Sequence, residues 1–347
     1  MKRHGNLWKQ IIDRDNLLVA YKLARKGKKR KPGIKKFARN LDANLDLIHD
    51  MLATHTFTTS PYNTRTIYEP KKREIFILPF YPDRVVQHAI MNVLEPIWDR
   101  LFINESYACR AGKGMHKGST KTMEYIRKNK YCLKCDIRKF YPSINHSVLK
   151  QIVRQKIKDK DLLWLLDDII DSYPGETNTP IGNYTSQWFG NLYMNELDKY
   201  VKQVLRVKCY LRYCDDFLFF ANSKDELHDI ADKVKAFCAD KLQLTLSKCD
   251  LFPVSRGVDF LGYRHFPKYI LLRKSTAKRA KRRIASIIKR ARKHKITLGQ
   301  FRSTVASYMG WMCWAKTYNL RRKMNLEQLG EACRYARNID EVRARIG

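Results

Sequence analysis

Asp215 and Asp216 stand side by side in the run Leu211-Arg212-Tyr213-Cys214-Asp215-Asp216-Phe217-Leu218-Phe219-Phe220, and Asp136 closes the strand-like segment Tyr131-Cys132-Leu133-Lys134-Cys135-Asp136-Ile137 well upstream. Two adjacent charges in so apolar a hairpin are costly without a functional return. If two strands of one sheet bring Asp136 beside Asp215, three carboxylates share one place and repel unless a cation neutralises them. Mg²⁺, a hard ion that takes oxygen ligands, is the natural choice, with Mn²⁺ as a substitute. Nucleotide addition uses such a site. One of two metal ions lowers the pKa of a primer 3′-hydroxyl, and the other holds the triphosphate and the leaving pyrophosphate.

The elements that must position these groups follow from periodicity. Residues 131–137 alternate, with Leu133, Cys135 and Ile137 on one face and Cys132, Lys134 and Asp136 on the other. That puts Cys132 and Cys135 on opposite faces and argues against a zinc site. A strand pair over 207–221 must turn near Cys214-Asp215. Two further strands are expected around Pro70-Lys71-Lys72-Arg73, and a helix from Asp83 to Trp98. Residues 1–60 read as helical with a break at the basic cluster 25–33. Helices are also expected over 146–172, 185–205 and 224–241, and short strands over 243–272. From 268 to 295 there are thirteen Lys and Arg, while Ile284, Ile287, Ile288 and Ala291 form a helical stripe. Trp311, Trp314 and Tyr318 fall at i, i+3 and i+7 and read as core.

Composition narrows the partner. Lys and Arg total 69 against 34 Asp and Glu in 347 residues, a net charge of +35, which points to a polyanion and most economically to nucleic acid. No apolar run suits a membrane span, so no membrane is expected. The N-terminus lacks a signal-peptide core, and nine scattered cysteines suit free thiols in a reducing cytoplasm.

Tyr213-Cys214-Asp215-Asp216 resembles the Tyr-X-Asp-Asp box of reverse transcriptases, and Asp136-Ile137-Arg138-Lys139-Phe140-Tyr141 resembles the first metal-binding motif of that family. The likeness runs from about 65 to 265. It implies an α+β right-hand polymerase with fingers, palm and an α-helical thumb. The expected boundaries are 1–81 and 146–180 for the fingers, 82–145 and 181–266 for the palm, and 267–347 for the thumb. It implies metal binding by Asp136, the Ile137 carbonyl, Asp215 and Asp216. The dNTP would meet Lys72, Arg73, Arg84, Phe140, Tyr141 (the steric gate against a 2′-hydroxyl), Ile181, Gly182, Gln187 and Lys248. Arg110 lies in a block that supports template and fingers. Phe260-Leu261-Gly262-Tyr263 resembles the primer grip. The thumb would follow an RNA–DNA hybrid with Lys278, Arg279, Arg282, Arg283, Lys289 and Arg290, by phosphate contact rather than sequence.

Most of the family carries Gln-Gly and, four residues on, Ser-Pro where this chain has Ile181-Gly182 and Ser186-Gln187. The departure resembles the reverse transcriptases of diversity-generating retroelements of bacteria and phages. Those enzymes copy a template-repeat RNA with errors opposite adenine, and the cDNA replaces part of a target gene. They work with template RNA, the cDNA primer strand and a pentameric accessory variability protein. Replacing a polar arm by Ile181 removes a contact of the kind that discriminates most strongly. The alternatives are a faithful group II intron or retron enzyme and, from another class, a catalytically silent RNA-binding scaffold. A maturase extends further than this chain, the Ser-Gln block speaks against a retron enzyme, and an aromatic at Tyr141 disfavours an RNA-making polymerase. The intact aspartates, Tyr141, Lys72 and Arg73 disfavour the scaffold.

Overall fold

The computed structural model describes residues 3–68, 72–293, 295–324 and 329. Four helices open the chain: α1 (Trp8–Ile12), α2 (Arg14–Ala24), α3 (Pro32–Arg39) and α4 (Leu41–Ala53). A hairpin of β1 (Asn63–Ile67) and β2 (Arg73–Ile77) leads to α5 (Val85–Asp99), followed by α6 (Met115–Lys128). Then come β3 (Tyr131–Ile137), α7 (Phe140–Ser143), α8 (His146–Arg154), α9 (Lys160–Asp171) and α10 (Tyr184–Lys199). The hairpin β4 (Tyr210–Tyr213) and β5 (Asp216–Ala221) precedes α11 (Lys224–Leu242) and β6 (Leu246–Pro253). Short strands β7 (Val258–Phe260), β8 (Tyr263–His265) and β9 (Ile270–Leu272) come before α12 (Lys274–Arg292), α13 (Leu298–Cys313) and α14 (Tyr318–Arg322).

This is a mixed α+β chain with three sheets: β1-β2, β4-β5-β3-β6 and β7-β8-β9. Contacts divide it into two units. The first is Met1–Gly114, Leu133–Phe219 and Asp225–Asp250; the second is Met115–Cys132, Phe220–Lys224 and Leu251–Gly347. In the first, α2 packs on α5, and Leu17 and Ala20 of α2 and Val86 and Ile90 of α5 are fully buried. Helix α10 is buried nearly all round, as a helix central to a core must be. In the second, the stripe Ile284, Ile287, Ile288 and Ala291 is buried with Phe301 and Met312, and the basic residues of α12 face outward.

Two readings are corrected. The helical stretch 146–172 is divided at Asp159, whose carboxylate caps α9 through Leu162 N–H and also accepts from the N–H groups of Leu7 and Trp8. Trp311, Trp314 and Tyr318 do not form one buried stripe, because α13 ends at Cys313. Trp314 and Tyr318 are 38% and 63% exposed. No helix among the described residues is long and apolar enough to cross a membrane.

Candidate active site

The strand order alone brings the aspartates together. β5 lies beside β3, and the turn between β4 and β5 holds Cys214 and Asp215, with Tyr213 paired to Asp216. Cys214 adopts φ 55°, the left-handed conformation that so tight a turn requires. The Ile137 N–H donates to the Asp215 carbonyl at 3.3 Å, which ties the end of β3 to the turn. Asp136, Asp215 and Asp216 therefore share one strand end.

Their carboxylates point to different partners. Asp136 Oδ2 accepts from Ser247 Oγ at 2.9 Å on β6, and Asp216 Oδ2 lies 3.2 Å from Lys134 Nζ on β3. Asp216 Oδ1 is buried with no hydrogen-bond donor. Burial pushes the Asp216 carboxyl up to about 6; Asp136 and Asp215 push the same way, and Lys134 opposes them. Among the described residues, no three His, Cys, Asp or Glu side chains form a ready-made metal cage. The donor set nonetheless fits a hard cation. All three side chains offer oxygen, they crowd one strand end, and a buried acceptor lacks a donor.

A fully buried ion pair supports the turn. Arg212 donates from Nη2 and Nε to the two carboxylate oxygens of Asp198, at 2.6 and 2.8 Å, with both side chains at zero exposure. Its Nη1 donates to Asn191 Oδ1 and to the Cys214 carbonyl at 3.0 Å, so the guanidinium holds the residue before Asp215 directly. Tyr210 O–H also donates to Asp198. Sequence reading passed over this cluster, although an arginine inside an apolar strand is itself a signal that a buried carboxylate is near. It also passed over Lys134, Ser247 and Gly190.

Beside β3, Phe140 is buried and Tyr141 half-buried on α7, with ring centroids 5.2 Å apart. Burial raises the Tyr141 phenol far above its ordinary range, so it stays neutral. A Cβ on Gly190 of α10 would meet Phe140 Cε1 at 3.0 Å and Tyr141 Cε1 at 3.2 Å; the glycine makes room for both rings.

The loop at 180–183 is joined to the β1–β2 hairpin. Phe76 N–H donates to the Ile181 carbonyl at 2.8 Å. Gly182, at φ +129°, brings its Cα so close that a Cβ would stand 2.1 Å from the Phe76 carbonyl oxygen. Arg84 Nη1 donates to the Gly182 carbonyl at 2.6 Å, while its neighbour Asp83 accepts from Ser60 N–H instead. Lys72 and Arg73 are exposed at the start of β2, as are Gln187 on α10 and Lys248 on β6; Ile181 is half-buried. Arg110 is engaged with Asp99 and with the carbonyls of Ile103 and Ser106.

In the second unit Phe260 and Tyr263 pair across a two-residue turn, with Leu261 at φ 53° and Gly262 at φ 81°. A Cβ on Gly262 would strike the Trp311 ring at 2.4 Å, and Tyr263 stacks on that ring at 5.4 Å. Lys278, Arg282, Arg283, Lys289 and Arg290 are exposed and Arg279 partly so.

The family described as reverse transcriptase (RNA-dependent DNA polymerase) matches residues 69–265, more than half of the chain. The chain belongs to the reverse transcriptase family, and its class of chemistry is RNA-directed DNA polymerisation, a nucleotidyl transfer. It is 23% identical over 274 residues to Protein YkfC of Escherichia coli K12, covering 65% of this chain and 71% of that one. It is 22% identical over 282 residues to the group II intron-encoded protein LtrA of Lactococcus lactis, covering 59% and 47%. Over 185 residues it is 28% identical to the retron Ec73 reverse transcriptase of E. coli, covering 49% and 54%. The chain thus spans about half the length of the latter two relatives.

Proposed function

We propose that this chain copies RNA into DNA at the strand end shared by Asp136, Asp215 and Asp216. The observation that carries the reading is the junction of β3 with the β4–β5 turn through Ile137 and Asp215, beside a buried Asp216 oxygen that lacks a donor. The three carboxylates and the Ile137 carbonyl would hold two Mg²⁺ ions, with Mn²⁺ able to replace them. Bound there, the ions supply activation of a primer 3′-hydroxyl and neutralisation of the triphosphate. Tyr141 and Phe140 set the floor under the incoming sugar and exclude a 2′-hydroxyl. Lys72 and Arg73 grip the triphosphate, Ile181 and Gly182 line the nucleotide with Gln187 near by, and Lys248 protonates the leaving pyrophosphate. Arg84 serves the loop backbone, which holds Gly182 in place for the nucleotide.

In this reading 1–81 and 146–180 are fingers, 82–145 and 181–266 palm, and 267–347 thumb. The Phe260-Leu261-Gly262-Tyr263 hairpin grips the primer, and the outward face of α12 follows the hybrid. The subclass we propose is the diversity-generating retroelement enzyme, which miscopies template adenine for mutagenic retrohoming with a pentameric accessory protein in a bacterial cytoplasm. Ile181 supports it: an apolar side chain stands on a loop pinned to β2, where a polar one would discriminate.

The test is primer extension on a defined RNA template in Mg²⁺, with the cDNA sequenced, beside Asp215→Ala/Asp216→Ala. We expect metal-dependent cDNA that is lost in the double variant, with errors concentrated opposite adenine. Accurate cDNA would leave the polymerase standing and overturn the retroelement reading. No cDNA even with cognate RNA and accessory protein would overturn both and favour a silent scaffold.

A further inference from the structure

The second unit contains a groove of about 730 Å³ that nothing in the proposed chemistry uses. Its walls are the C-terminal half of α6, the turn between β8 and β9, and the segment that follows α13. Arg127, Lys128, Lys268 and Lys316 line it, against one carboxylate, Glu124, which Lys121 and Lys128 already neutralise at 2.8 and 3.1 Å. Two large aromatic side chains open into the same space, Tyr269 at 42% and Trp314 at 38% exposure.

Both rings are held rather than loose. The Trp314 indole N–H donates to Ser119 Oγ at 3.0 Å, and the His116 ring stacks on it at 4.5 Å. Tyr269 packs on Phe266 at 4.8 Å, and its carbonyl accepts from Phe266 N–H. The walls are cross-linked as well: Lys316 N–H donates to the Ile270 carbonyl at 2.8 Å, and Arg127 Nε donates to the Pro267 carbonyl at 3.2 Å. Exposed aromatics fixed beside cations are the arrangement on which unpaired bases stack while phosphates meet the charges. An acidic protein surface would use the cations and leave the two rings in water.

We propose that this groove binds an unpaired nucleic-acid strand, with bases on Tyr269 and Trp314 and phosphates on Lys268, Lys316 and Arg127. It is a site for single strand, separate from the face of α12 proposed for duplex. The inference rests on nucleic acid being the partner, and not on the retroelement subclass.

The test uses the full chain and fluorescent oligouridylate and oligodeoxyuridylate dodecamers, with anisotropy measured over a salt series. Tyr269→Ala should weaken binding by about tenfold. Lys268→Gln/Lys316→Gln should flatten the slope of log affinity against log salt by about 1.4, roughly 0.7 per phosphate contact. Iodouridine in the RNA should photocrosslink to Tyr269 or Trp314. Unchanged thermal midpoints and unchanged extension of a pre-annealed short primer–template would separate the effect from misfolding. Losses on both strands assign the groove to either product or template; losses on RNA alone assign it to the template. Sensitivity to the lysines without sensitivity to Tyr269, or crosslinks only elsewhere, would overturn the proposal in favour of a general polyanion surface. Asp215→Ala/Asp216→Ala should abolish extension and leave this binding intact, so failure of the polymerase reading and failure of the groove are told apart.

Discussion

Arg212 and Asp198 form a two-point ion pair at full burial, and the same guanidinium reaches the carbonyl of Cys214, one residue before Asp215. The geometry of the turn proposed to be catalytic is thus tied to a charge pair in the core. Arg212→Leu leaves Asp198 buried with the Tyr210 hydroxyl as its remaining side-chain donor among the described residues, and should cost about 3–5 kcal/mol. The urea midpoint measures that loss. Extension should fall by more than the unfolded fraction explains, because the turn loses its anchor.

Gly190→Ala gives a sharper separation of fold from function. Alanine improves α10 by up to about 1 kcal/mol in helix propensity, while its methyl group presses on Phe140 and Tyr141. We expect the thermal midpoint to move little and the KM for dNTP to rise severalfold. An unchanged KM would dissociate the two rings from the nucleotide.

Ile181→Gln tests the proposed infidelity where it would arise. The backbone at this position is fixed by Phe76, so the substitution changes the arm and not the loop. Errors opposite template adenine should drop at least severalfold with cDNA yield retained, as counted by sequencing. An unaltered error spectrum would remove Ile181 from any account of fidelity.

Magnesium dependence can be read through Lys134, whose ammonium lies 3.2 Å from Asp216. Replacing it with Met removes a positive charge next to the proposed metal position. The Mg²⁺ concentration for half-maximal extension should fall severalfold, and chelation should still abolish the reaction. A raised requirement would mean that Lys134 chiefly orients Asp216.

Acid sensitivity should come in part from His88, stacked on Tyr184 at 4.3 Å. Burial, then Lys28 and Arg84, pull its pKa from 6.5 to about 4. A depressed folded-state value means that the unfolded chain binds the proton first. The neutral ring's contribution is therefore complete above about 6.5 and is lost as pH falls toward 4. His88→Phe should flatten the decline in thermal midpoint across that window, while wild type and variant run parallel above it.

Much of this is legible in the sequence. The alternation of 131–137, the two-residue turn at Cys214-Asp215 and the stripe Ile284, Ile287, Ile288 and Ala291 depend on local period and local backbone preference, which the sequence carries directly. The end of α13 at Cys313 is not, because Trp311, Trp314 and Tyr318 keep a helical spacing that the chain abandons between them.

What tertiary structure alone decided is which distant groups meet. Lys134 finds Asp216, Ser247 finds Asp136, Asp198 finds Arg212, and Gly190 leaves space for Phe140 and Tyr141. None of these pairs shares a period or a motif. They are matched by the strand order β4-β5-β3-β6 and by the burial of α10, which bring unlike charges and complementary volumes together across long stretches of chain. The sequence by itself determined where the aspartates fall and the family the chain belongs to; the packing determined what holds them still.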